Sequence, residues 1–83
     1  MAHANGLRWP LKRIKHLPST AGVYVLYNRT RRVAAGRTFN LRRALEGLAR
    51  SGPTFTSFDW YAVRREEERT RLAAELGAGG EEE

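Results

Sequence analysis

No cysteine occurs anywhere in this chain. That excludes a disulfide framework and a thiolate zinc site, and it fits a reducing compartment such as the cytoplasm. Histidine is almost as scarce, with only His3 and His16, so a histidine-rich metal site is excluded too. No apolar run approaches the roughly 20 residues that span a bilayer, and the N-terminus lacks the apolar segment of a secretory signal. The expectation is a soluble, cytoplasmic chain with no membrane association. Acid is the third scarcity, and it is local. Residues 1–58 hold eleven Lys and Arg against the single acid Glu46, a net of +10, whereas residues 59–83 hold four Arg against eight acids, a net of −4. An arginine-dominated half suits phosphate, because a guanidinium fork can hold two oxygens at once. The clustering points to a polyanionic partner.

What is present is enough for one small domain. A chain of 83 residues buries roughly 60 to 65% of the surface its unfolded form exposes. Residues 1–10 show no periodicity and are expected to be a flexible tail, with His3 part of it. Pro10 followed by Leu11, Ile14 and Leu17 predicts a short helix ended by Pro18, carrying Lys12, Arg13 and Lys15 on its other side and His16 near its end. Residues 77–83 read as a flexible acidic tail. The domain proper is therefore placed at 11–76.

Its centre is Gly22 to Leu45. Val23 to Tyr27 and Val33 to Ala35 are β-branched and aromatic runs separated by Asn28, Arg29, Thr30, Arg31 and Arg32, the pattern of a hairpin whose loop is longer than a two-residue turn. Along the first strand Tyr24 and Leu26 fall on one face and Val23, Val25 and Tyr27 on the other. After Gly36, Thr38 is the expected N-cap of a helix reaching Ser51, since Leu41, Leu45 and Leu48 recur at one-face spacing. Thr56 to Arg64 alternates like a third strand, with Phe58 and Trp60 as core. The run EEERTRLAAEL predicts a last helix with acids at its favourable end. The expected class is α/β, a three-stranded antiparallel sheet flanked by helices.

This order of residues resembles the GIY-YIG nuclease superfamily. Gly22, Val23 and Tyr24 stand at its GIY motif, Ala34, Ala35 and Gly36 at its YIG motif, and Arg37, Thr38, Asn40, Leu41 and Arg42 resemble the lead into its first helix. With its flanks the resemblance covers about Leu11 to Leu76. It implies an endonuclease site of two tyrosines, a helix arginine and a glutamate that holds one divalent Mg or Mn ion. Carried over residue by residue, the first tyrosine is Tyr24 and the metal ligand is Glu75. The second tyrosine falls on Ala34 and the arginine on Ala44, so both are degenerate positions.

Chemistry at such a site needs an activated water, stabilised phosphoryl oxygens and a neutralised leaving group. Tyr24 would handle the water, Arg37 the phosphate and a metal on Glu75 the leaving oxygen. Losing one preorganised charge donor costs about 2.7 to 4 kcal/mol in the transition state, so two vacant positions leave little activity. Three readings follow. The first is a GIY-YIG-like domain binding nucleic acid, DNA in preference to RNA, through Lys12, Arg13, Lys15, Arg37, Thr38, Asn40, Arg42 and Arg43, with cleavage weak or absent. The second is an active Mg-dependent endonuclease with a rearranged site. The third is a small protein-interaction module, and a larger protein partner stays open in each case. The expected architecture places Tyr24, Ala34, Ala44 and Glu75 around one shallow cleft.

Overall fold

The computed structural model describes residues 5–77. Four strands, β1 (Asn5–Pro10), β2 (Gly22–Asn28), β3 (Arg31–Thr38) and β4 (Ser57–Ala62), form one antiparallel sheet in the order β1-β4-β2-β3. A 3-10 helix (Leu11–His16) follows β1, α1 (Leu41–Ser51) follows β3, and α2 (Glu66–Glu75) follows β4. The class is α/β, as the residue pattern predicts, but the sheet has four strands rather than three.

The additional strand is Asn5–Pro10, within the expected N-terminal tail. It lacks periodicity because a bulge interrupts its pairing: Gly6 faces Trp60, Trp9 faces Phe58, and Leu7 and Arg8 together oppose Asp59. Two residues against one leave an N–H without a ladder partner. Here the Arg8 N–H donates to Asp59 Oδ1 at 2.7 Å, with Arg8 itself at a left-handed φ of 55°. The expectations for residues 1–4 and 78–83 lie outside the described residues. Gly77, at φ 71°, closes α2 in the conformation glycine adopts most easily.

The central hairpin also differs in detail. Asn28 pairs with Arg31, so the turn is the two residues Arg29 and Thr30, with Arg29 at φ 62°. The remaining length of the polar tract is absorbed by a bulge at Val33, where Leu26 faces Ala34 but Tyr27 faces Arg32. The turn is pinned from below by the Arg29 N–H donating to Thr56 Oγ1 at 2.7 Å.

Strand alternation puts two different cores on the two faces. On one face Tyr24, Leu26, Phe58 and Trp60 pack with Ile14 and Leu17 of the 3-10 segment and with Leu41 and Leu45 of α1. Phe58, Leu26, Leu41 and Leu45 are fully buried, each worth about 1.5 to 3 kcal/mol of transfer free energy. On the other face Val23 meets Ala73 of α2, with Ala35, Tyr61, Leu72 and Leu76 around them. The leucine stripe thus places α1 and the 3-10 segment in one layer, and α2 in the opposite one.

Candidate nucleic-acid interface

The N-terminus of α1 is set by side-chain hydrogen bonds. Asn40, not Thr38, is the N-cap: its Oδ1 accepts from the Arg43 N–H at 3.0 Å. Thr38 ends β3 instead, where its buried hydroxyl accepts from the Asn40 N–H at 3.1 Å. The Leu41 N–H donates to the Thr20 carbonyl at 2.9 Å, tying the helix start to the segment entering β2.

With the helix so fixed, Arg42, Arg43 and Arg50 are exposed along its outer surface. The 3-10 segment packs against α1 and exposes Lys12, Arg13 and Lys15 in the same layer. Arg13 is held, with its guanidinium 3.9 Å from the centre of the Trp9 ring. Arg42 approaches Glu46 at 3.7 Å, a solvated pair of the kind that contributes about 0.5 kcal/mol or less. This layer carries six Lys and Arg against the one acid Glu46, a net of +5, and its first helical turn holds no acid. The opposite layer is α2, with four Glu against two Arg, a net of −2, and of these Arg69 is buried. Arg37, Arg8 and Arg32 also reach the α2 side, so that face is near neutral while the α1 side is strongly positive.

The residues of the expected cleft divide between the faces. Tyr24, Ala34 and Ala44 come together in the α1-side core, with Tyr24 only 8% exposed. Tyr24 faces Gly36 across the ladder, and a Cβ at Gly36 would stand 2.8 Å from Tyr24 Cζ, so this glycine makes room for the ring. Glu75 is exposed on α2, across the sheet from Tyr24. Arg37 pairs with Val23 and its side chain turns to the α2 side, donating to Thr70 Oγ1 at 2.8 Å. The expected cleft uniting Tyr24, Ala34 and Ala44 with Glu75 is therefore not formed, because α2 packs on the Val23 face of the sheet, and Arg37 leaves its strand on that same face. An ion on Glu75 would be separated from Tyr24 by the sheet. Among the described residues no group of three His, Cys, Asp or Glu comes together. Glu75, the single carboxylate that the resemblance assigns to the metal, stands exposed on the α2 side.

Two features escape a reading by strand and helix pattern. One is a polar knot on the α2-side face. Asp59 is buried and accepts from Arg8 N–H and from the Tyr27 hydroxyl at 2.9 Å, while the Arg8 guanidinium lies 3.5 Å from the Tyr27 ring centre. Burial, and then the hydrogen bond to Asp59, raise the Tyr27 pKa above its ordinary value. The other is an open groove of about 610 Å³ along α1, lined by Phe39, Asn40, Arg43, Ala44, Gly47 and Leu48 among others. Phe39 at its mouth is 60% exposed. An aromatic residue between Thr38 and the basic helix is the only signal of this groove in the sequence.

Among the described residues no helix is long and apolar enough to cross a membrane. Compared with family models, curated proteins and solved structures, the chain matches none.

Proposed function

We propose that this chain is a nucleic-acid-binding domain of GIY-YIG-like organisation, acting in the cytoplasm on DNA in preference to RNA, without phosphodiester cleavage of its own. The observation that carries the binding is the +5 layer of Lys12, Arg13, Lys15, Arg42, Arg43 and Arg50, gathered on one side of the sheet by the packing of the 3-10 segment on α1. Such clustering orients a polyanion on that face. The GIY-YIG-like reading is supported by Gly22, Val23 and Tyr24 lying on a central strand beside Ala34, Ala35 and Gly36. The absence of cleavage is supported by the alanines at two positions and by the separation of Tyr24 from Glu75 and Arg37.

The test is titration of a labelled duplex over a range of salt. Each phosphate contact contributes a slope of about −0.9 in log K against log salt. Replacing Arg42, Arg43 and Arg50 by alanine is expected to weaken binding and flatten that slope by about two to three. No binding at low salt, or an unchanged slope, overturns the reading. Incubation with Mg²⁺ or Mn²⁺ is expected to leave the duplex intact, and cutting that disappears in Glu75→Ala would restore the endonuclease alternative.

A further inference from the structure

We propose that the groove along α1 is a site for one unstacked nucleobase, held against Phe39 with its phosphate on Arg43. The inference rests on the nucleic-acid reading and specifies the substrate as single-stranded or locally opened nucleic acid.

Phe39 occupies the position just before the N-cap, where an apolar residue ordinarily packs against the fourth helical residue. That residue is Ala44, which is too short to cover a phenyl ring. The ring stays 60% exposed instead. One cation–π contact orients it. Arg69, itself 3% exposed, lies with its guanidinium carbon 5.2 Å from the ring centre, and its Nη1 donates to the Val63 and Arg64 carbonyls at 3.3 and 2.6 Å. An exposed ring is what base stacking requires, since every base offers a π-face.

The remaining lining suits a nucleotide. Ala44, Gly47 and Leu48 give the groove an apolar floor, and its volume of about 610 Å³ falls within the roughly 300 to 1,000 Å³ of small-molecule sites. Arg43 lines it and enters no ion pair among the described residues. Asn40 spends its Oδ1 on the helix cap, which leaves its amide NH₂ as the group able to donate to a base edge. The layer's net of +5 favours a phosphate-bearing occupant over an apolar peptide.

Gly47 provides a test that does not threaten the fold. A Cβ at this position meets nothing within 4 Å, and glycine is the poorest helix former after proline. Gly47→Leu therefore fills the groove while favouring the helix. The probes are a 15-mer oligothymidylate and a 15-base-pair duplex, measured by fluorescence anisotropy with thermal melts of each variant. Phe39→Ala and Gly47→Leu are each expected to weaken the oligothymidylate roughly 5- to 150-fold, the range of one lost base stack. Duplex affinity should change less than twofold, and Phe39→Trp should retain single-strand binding. If both variants leave the oligothymidylate affinity unchanged while the duplex still binds with a steep salt slope, the groove proposal fails and the basic layer stands. Absence of salt-dependent binding by either probe overturns both. Tight binding of an acidic aromatic peptide in place of the oligothymidylate would assign the groove to a protein partner and overturn the nucleobase site.

Discussion

The two faces of the sheet are built from different material. The α1 side is a conventional core of Leu26, Leu41, Leu45, Phe58 and Trp60, with Trp9 edge-on to both Phe58 and Trp60 at ring-centre distances of 6.3 and 5.1 Å. The α2 side buries smaller side chains, Val23, Val25 and Ala73, and its helix is also anchored by polar contacts: Arg37 to Thr70, and Arg69 to the carbonyls after β4. Area removed from water is non-directional, whereas a hydrogen bond fixes one geometry. The comparison teaches that the basic layer is carried by the stable core, and that α2 is held in register by arginines.

The largest effect should come from the α1 side. Phe58→Ala is expected to cost about 3 to 5 kcal/mol in urea denaturation, while Leu72→Ala on α2, only half-buried, should cost under about 2. Equal losses would break the comparison. Next comes Arg69→Met, which keeps an apolar stem but removes a charged donor from two carbonyls. Its expected cost is about 1.5 to 3 kcal/mol, and hydrogen exchange should show the α2 amides opening before those of α1. Uniform protection across both helices would contradict this.

The smallest effect concerns pH. Tyr27 is raised by burial first and then by its bond to Asp59, and Tyr61 by burial first and then by the Asp59 charge, both above the ordinary tyrosine value of 10.0. The folded state therefore holds these protons more tightly than the unfolded one. Their contribution is fully present below about pH 10 and is lost as pH rises through the raised folded values. Urea midpoints should be level from neutral pH to about 10 and fall beyond it. Tyr27→Phe should make that fall shallower, and an unaltered slope would remove Tyr27 from the account.

Much of the fold was legible because local rules and tertiary packing agreed. The alternation of Val23 to Tyr27 placed Tyr24 and Leu26 together, and Leu41, Leu45 and Leu48 gave the buried stripe of α1. Boundaries shifted where side-chain hydrogen bonds decided them, as when Asn40 took the cap and left Thr38 to the strand. Asn5–Pro10 was not legible as a strand. Its bulge breaks the period of two, and the Asp59 that stabilises it lies 51 residues away.

The candidate site shows the same division more sharply. Tyr24, Ala34 and Ala44 met as the hairpin and first helix required, since strand pairing and a short connection determine their geometry. Glu75 was assigned by resemblance in a helix whose side of the sheet no local signal determines. By itself the sequence determined three of the four strands, the helices and the basic and acidic segments, because each depends on near neighbours along the chain. Only the tertiary structure decided that α2 covers the face away from Tyr24, that the cations of the 3-10 segment and α1 share one layer, and that Phe39 stands exposed over a groove. Those outcomes depend on which surfaces bury one another, and that is a property of the packed whole.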